Sequence, residues 1–200
     1  MSNALRFSAL ILAGGQSSRM GQDKAQLCLN GQTLLTHMQQ LASASGASEL
    51  LLSRNQPGGI QDVYQRSGPL AGILAALEHC TTPLLLVLPI DTPLLSSISL
   101  KRLLQQASAS HHAAHFAQSP LPCVLPVTAE LKALIARQLQ QSQRSVKALL
   151  AQLHAIAVAA PATELLNTNT PQDWQLCLSL LQPQHTTRPQ AQEALCLSQI

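Results

Sequence analysis

Between Gly14 and Lys24 the chain reads Gly-Gly-Gln-Ser-Ser-Arg-Met-Gly-Gln-Asp-Lys, which collects Gly14, Gly15 and Gly21 with the cations Arg19 and Lys24 in one short segment. Adjacent glycines let a backbone turn sharply and approach a ligand without Cβ hindrance. Consecutive amides in such a turn aim their N–H groups inward as an anion nest. Arg19 can fork onto two phosphate oxygens and Lys24 can add a point charge. Gly14-Gly15 alone is equally compatible with a plain surface turn. The added Arg, Gly and Lys favour a phosphate site. No Gly-Lys-Ser/Thr closes the segment and no G-x-G-x-x-G occurs in it, so neither a P-loop nor a dinucleotide fingerprint is present.

Asp91 is the second candidate. The chain has nine carboxylates, and this one directly follows the apolar run Pro83 to Pro89. Magnesium prefers oxygen ligands, commonly one or two carboxylates plus substrate phosphates. A turn aspartate before Thr92-Pro93 is the structural alternative. Asp23 reads as a partner for Arg19 or Lys24. Gly68-Pro-Leu-Ala-Gly72 is either a turn with a helix start or a close backbone approach to a base at Gly72. Asn167-Thr-Asn-Thr-Pro171 is either an Asx turn with a helix cap or a pair of amides ordering water on a metal. Arg144 and Lys147 form a short basic stretch that a solvated helix face would also explain. His111, His112 and His115 have no carboxylate or Cys beside them and read as a polar loop.

These residues must be held by an alternation of strands and helices. Phe7 to Ala13 is apolar on both faces, as in the middle of a parallel sheet. Leu34, Met38 and Leu41 mark a helix by their spacing. Glu49 to Ser53 and Pro83 to Pro89 read as strands. Leu70 to Cys80 reads as a helix with Pro69 at its start, and Ser96 or Ser97 caps another that runs to about Ala107. Strands follow near Ala113 to Ala117 and Cys123 to Val127. Helices follow on Leu131, Leu134, Ile135 and Leu139 and from Ser145 to Leu153, then a strand from Ala155 to Ala160. Pro171 starts a last helix through Trp174 and Leu181. The pattern predicts an α/β, three-layer αβα, Rossmann-like fold with a mostly parallel sheet, whose ligands bind at the carboxyl ends of the strands. One domain is expected over residues 1–182, its first half about 6–110 and its second about 111–182, with a flexible polar tail at 183–200.

Composition sets the class. Hydrophobic residues make up 46% but aromatics only 2%, so the core must be built from Leu, Ile, Val and Ala. A net charge of +3, without a Lys/Arg run or stacking aromatics, argues against nucleic acid. The five cysteines are dispersed with no C-x-x-C pair, which argues against a zinc site and fits a reducing, cytoplasmic compartment. No apolar run approaches a membrane span.

The motifs Leu12-Ala-Gly-Gly-x-Ser-x-Arg-Met-Gly-x-Asp-Lys24, Gly68-Pro-Leu-Ala-Gly72, Pro89-Ile-Asp-Thr-Pro93 and Asn167-Thr-Asn-Thr-Pro171 resemble, in that order, the molybdenum cofactor guanylyltransferases of the MobA type, over roughly residues 6 to 182. The resemblance implies the nucleotide-diphospho-sugar transferase-like fold. It also implies that Leu12, Ala13, Gly14, Gly15, Lys24, Ser53, Asp62, Gly72 and Asp91 contact the guanine nucleotide. Asp91 then binds Mg2+, and Arg19, Lys24 and Asp91 act on the phosphates. Asn167 and Asn169 fall near the metal or the pterin substrate, and Arg144 and Lys147 to the pterin side. Three positions depart from the family pattern: Ile90 where a Cys is usual, Ser53 for an Asn, and Leu121-Pro122 for a His-Pro pair. The implied reaction transfers GMP from GTP to the phosphate of molybdenum-molybdopterin and releases pyrophosphate. Implied partners are GTP, molybdopterin, molybdenum-insertion proteins and molybdoenzyme chaperones, with the enzyme itself a monomer. The alternatives are a cytidylyltransferase for the same cofactor, a sugar-nucleotide pyrophosphorylase, and a non-catalytic nucleotide-binding protein.

Overall fold

A computed structural model describes residues 5–14, 23–54, 56–61, 64 and 67–181. Gly15, Arg19 and Asp62, and the tail after Leu181, lie outside the described residues. In chain order the strands are β1 (Phe7–Leu12), β2 (Cys28–Leu29), β3 (Gln32–Thr33), β4 (Glu49–Ser53), β5 (Leu84–Pro89), β6 (Ala114–Phe116), β7 (Cys123–Pro126) and β8 (Ile156–Val158). The helices are α1 (Leu34–Ala44), α2 (Pro69–Leu77), α3 (Ser97–Ser110), α4 (Ala129–Gln140), α5 (Val146–Gln152) and α6 (Pro171–Leu181).

The main sheet has the order β4-β1-β5-β7-β6-β8. Pairing is parallel for β1 with β4 and β5, and for β6 with β8. β7 pairs antiparallel with both β5 and β6. Every strand of this sheet but β7 therefore points the same way, as the sequence leads one to expect with that single reversal. β1 and β5 are apolar on both faces because both faces are covered. Phe7, Ala9 and Ile11 of β1 and Leu84, Leu86 and Leu88 of β5 pack with α1, α3 and Trp174 of α6. Leu10, Leu12, Leu85 and Val87 face the other way, into α2, α4 and α5. The result is three layers. With few aromatics available, leucines such as Leu10, Leu70 and Leu85, each fully buried, carry the core at about 1.5–3 kcal/mol apiece.

Helix starts are chemically explicit. Thr33, Ser96, Thr128 and Ser145 each accept a hydrogen bond from the amide three residues on, contributions of roughly 1 kcal/mol per cap. Gly68, at φ 71°, turns the chain into Pro69 at the first turn of α2. The third helix runs to Ser110, slightly beyond the expected end, where His111 takes a left-handed conformation.

One element escaped the periodicity argument. β2 and β3 form a two-residue hairpin with Asn30 at φ 50° and Gly31 at φ 80°. These are the positive values that favour Asn-Gly in such turns. Leu29 buries fully beneath it, and Leu34 N–H donates to Leu27 O at 2.8 Å. The hairpin thereby ties the segment carrying Lys24 to α1.

Candidate active site

The chain leaves β1 toward β4 on one side, while β5 flanks β1 on the other. A crevice must open where the carboxyl ends of β1 and β5 part, and ligands of open α/β sheets bind there. A cavity of about 370 Å³ lies at that point. Leu12, Ala13 and Gly14 line it from the end of β1, and Pro89, Ile90 and Asp91 from the end of β5. Backbone bonds fasten these ends together: Ile90 N–H donates to Leu12 O at 3.2 Å and Ala13 N–H to Ser53 O at 3.0 Å.

Lys24 and Asp23 also line the cavity. Lys24 opens a 3-10 turn, Lys24–Gln26, that Asp23 caps, its Oδ1 accepting from the Ala25 amide at 3.0 Å. The other oxygen of Asp23 pairs with Arg54, just past β4. Asp23 is thus a partner of Arg54 and not of Lys24, one oxygen holding the Arg54 guanidinium and the other the amide that follows Lys24. Lys24 Nζ instead donates to Asn169 Oδ1 at 2.7 Å and stands 3.7 Å from Asp91 Oδ2. Both side chains of that ion pair are largely shielded, at 15% and 24% exposure. Sequence positions far apart, Lys24, Asp91 and Asn169, therefore meet at one point.

The segment Asn167–Thr170 is strapped across the end of β5. Thr168 is fully buried, and both its N–H (2.8 Å) and its hydroxyl (3.3 Å) donate to Asp91 O. Thr170 and Asp173 form a reciprocal capping box at the start of α6. Asp173 N–H donates to Thr170 Oγ1, while Asp173 Oδ2 accepts from the Thr170 hydroxyl and from the amides of Thr170 and Asn169. The Thr170 hydroxyl, above all, holds the Asp173 carboxyl below its ordinary value of 3.8. Desolvation opposes this, and the two amides and the Lys24 charge add to it. Of the two readings of the Asn-Thr-Asn-Thr-Pro segment, the helix cap is realised. Thr170 caps a helix, Asn169 fixes a lysine, and Asn167 lines the cavity.

Three further positions fall differently. Gly72 and Ser53 do not line this cavity. A Cβ on Gly72 would lie 2.3 Å from Ser53 Oγ and 3.2 Å from Leu12 Cδ2. The close approach that demands glycine is thus of α2 to the ends of β4 and β1. Arg144 is exposed on the loop before α5 and lines neither this cavity nor a second one behind Ser119 and Pro120. His115 belongs to β6 and is half-buried, its Nδ1–H donating to Phe116 O and Ser119 O, so it is no part of a polar loop. Sequence reasoning missed Arg54, Thr168 and Asp173. The Thr-x-x-Asp spacing at 170–173 could have revealed the capping box, but nothing local marks Arg54.

Among the described residues no three His, Cys, Asp or Glu side chains converge to hold a metal. Of the carboxylates at the cavity, Asp23 is engaged by the Ala25 amide and Arg54, which leaves Asp91, with the amide of Asn167, as the candidate oxygen donors. One such carboxylate at a cavity open to a ligand fits Mg2+, which takes most of its ligands from water and substrate phosphates.

The chain matches the model of the MobA-like NTP transferase domain over residues 9–157. It is 38% identical over 176 aligned residues to a molybdenum cofactor guanylyltransferase of Xanthomonas euvesicatoria pv. vesicatoria, covering 84% of this chain and 92% of that protein. The chain belongs to the MobA-like NTP transferase family. A second family member, the molybdenum cofactor guanylyltransferase of Pseudomonas fluorescens, is 34% identical over 191 aligned residues, covering 86% of this chain and 93% of its own length. Among solved structures, molybdopterin-guanine dinucleotide biosynthesis protein A from Archaeoglobus fulgidus superposes with a TM-score of 0.72 at 19% identity, covering 86% of this chain and 97% of that one. The 2-C-methyl-D-erythritol 4-phosphate cytidylyltransferase of Thermus thermophilus superposes at 0.66 with 24% identity, covering 86% of this chain and 97% of that one. The fold of the MobA-like family is thus shared with other nucleotidyltransferases, and its cavity at the β1 and β5 ends is where this member gathers its charged residues.

Proposed function

We infer that the protein is a molybdenum cofactor guanylyltransferase, which transfers GMP from GTP to molybdenum-molybdopterin. The juxtaposition of Lys24, Asp91 and Asn169 on the cavity at the β1 and β5 ends, in a chain so similar to named guanylyltransferases, carries this reading. A phosphate oxygen of molybdopterin attacks the α-phosphorus of GTP in line. The bond from that phosphorus to the bridging oxygen breaks, and pyrophosphate leaves with its electron pair. The phosphate nucleophile is already ionised at neutral pH, so the protein needs no strong base. Its work is positioning and charge neutralisation.

Lys24, held in place by Asn169, supplies a fixed positive charge at the phosphates, joined by Arg19 and by the amides of Gly14 and Gly15. Leu12, Ala13 and Gly14 offer backbone to the nucleotide, with Asp62, Ser53 and Gly72 assigned to its nucleoside end. Asp91 and Asn167 would hold Mg2+. That ion would supply positive charge against the phosphate oxygens. Asn167, Asn169 and Arg144 are assigned to the acceptor. The enzyme acts as a cytoplasmic monomer that exchanges cofactor with molybdenum-insertion proteins and molybdoenzyme chaperones. Among the described residues no helix is long and apolar enough to cross a membrane.

The test is pyrophosphate release from each nucleoside triphosphate with Mg2+, with and without molybdenum-molybdopterin. Release is expected with GTP and acceptor together. Release with CTP but not GTP would overturn the base assignment. Asp91→Ala is expected to lower kcat by at least about 10²-fold with an unchanged circular dichroism spectrum. Unchanged turnover would remove Asp91 from the metal site.

A further inference from the structure

Just past the edge strand β4, the backbone of Arg54 is clamped. Its N–H donates to Ile60 O at 3.1 Å, and Ile60 N–H donates back to Leu52 O at 2.7 Å. Gly59 presses on it as well. A Cβ on Gly59 would lie 2.6 Å from Arg54 O and 2.8 Å from Arg54 Cβ, an approach that glycine alone allows. Held in this way, the Arg54 side chain is 14% exposed, and its guanidinium pairs with Asp23, which is 34% exposed. Asp23 lines the cavity at the β1 and β5 ends, and Arg54 does not.

The charges at that cavity give the pair its consequence. Among the described residues the charged lining is Asp23, Lys24 and Asp91, two carboxylates against one ammonium. A nucleoside triphosphate is an anion, with or without its magnesium, so such a lining by itself repels it. Asp91 is the carboxylate available to a cation, whereas Asp23 needs a counter-charge. Arg54 supplies it from behind the cavity wall, where partial burial weakens the screening of the pair by water and salt. Its hold on Oδ2 leaves Oδ1 for the Ala25 amide, which caps the turn that presents Lys24.

We propose that Arg54 is a positioning residue for the nucleoside triphosphate. Acting through Asp23, it cancels a carboxylate charge in the cavity wall and fixes the turn that carries Lys24, without touching the nucleotide. The proposal rests on the guanylyl-transfer reading above for the identity of that nucleotide.

Two measurements on the full chain test this: calorimetric titration with GTP in the presence of Mg2+, and pyrophosphate release with GTP varied at saturating molybdenum-molybdopterin. Arg54→Ala is expected to raise Kd and KM for GTP about tenfold, with KM for the acceptor unchanged. Arg54→Gln keeps the side-chain stem in place, guards against a folding defect, and should show the same rise. Adding Asp23→Asn to either variant removes the unpaired carboxylate, while the amide oxygen still accepts from the Ala25 N–H. That addition should return GTP binding to within about threefold of wild type. The ratio of variant to wild-type Kd in the single variants should also shrink as salt is added. An ion pair that served the fold alone would lower the thermal midpoint without this rescue or this salt dependence. Unchanged GTP binding in both Arg54 variants, or double variants as weak as their parents, would overturn the proposal while leaving guanylyl transfer standing. A wild-type protein that transfers no GMP, with the expected pattern of GTP binding across the variants, would overturn the functional reading and leave the role of Arg54 in place.

Discussion

Lys24 has an anionic partner, Asp91, and a neutral one, Asn169, and the difference matters. The amide fixes the ammonium at 2.7 Å without cancelling its charge, while the carboxylate at 3.7 Å lies beyond hydrogen-bond contact. A lysine held this way keeps its charge available to phosphate. Packing at Gly72 works at the same scale by another means. Placing a methyl there drives the Ser53 hydroxyl aside and tightens contacts with Ser53 Cβ at 3.1 Å and Leu12 Cδ2 at 3.2 Å. Overpacking of this kind costs about 1–3 kcal/mol, against a helix gain of roughly 0.5–1 kcal/mol for replacing glycine. Gly72→Ala is expected to lower the thermal midpoint, and Gly72→Ala combined with Ser53→Ala to recover most of the loss. A double variant no more stable than Gly72→Ala alone would refute this packing account.

The strap Asn167–Thr170 and α6 act as one element. Asn169 can hold Lys24 only if the turn preceding α6 keeps its shape, and the Thr170–Asp173 capping box sets that shape. Thr170→Ala removes the cap, an expected loss of about 1 kcal/mol, measurable by denaturant titration together with a lowered kcat. Asp173 adds a pH dependence. Its carboxyl is depressed in the folded protein, so its contribution is fully present above the unfolded value and is lost as pH falls through the lower folded value. Asp173→Asn should therefore be less stable than wild type at neutral pH, with the gap closing as pH drops below about 4. A gap that stays constant with pH would show that the carboxylate's charge is irrelevant to the cap.

At the scale of the molecule, burial separates the cysteines. Cys123 lies fully buried in the sheet, its thiol pushed up to about 12, and the buried Cys177 of α6 is raised to about 11, in both cases by desolvation. Cys28 is exposed. Thiol labelling of the native protein, mapped by peptide mass spectrometry, should mark Cys28 quickly and reach Cys123 only on unfolding. Rapid native labelling of Cys123 would contradict the packing of β7.

The layered fold was legible because β1 and β5 are apolar on both faces and the helices are apolar on one. Periodicity reports burial, and burial is set by layers. Reversal of β7 was not legible, since antiparallel and parallel strands of one buried sheet share the same composition. The β2–β3 hairpin was missed because its strands are too short for a period, although Asn30-Gly31 marks its turn. In the site, Asp91 and Lys24 stood out by residue type and place in the chain. That Asn169 holds Lys24, and that Arg54 rather than Lys24 answers Asp23, depends on which strand ends lie side by side, which no local pattern encodes.

The sequence contains one tryptophan. It is Trp174, buried at 8% exposure in α6, whose backbone N–H donates to Thr170 O at 3.0 Å at the foot of the strap. With only one Tyr and two Phe elsewhere, ultraviolet emission from this protein is essentially the emission of a single indole one helical turn from the residue that holds Lys24. Ligand-induced adjustment of the strap and loss of the core both act on that one chromophore. The unlabelled protein thus carries its own optical gauge of site and fold.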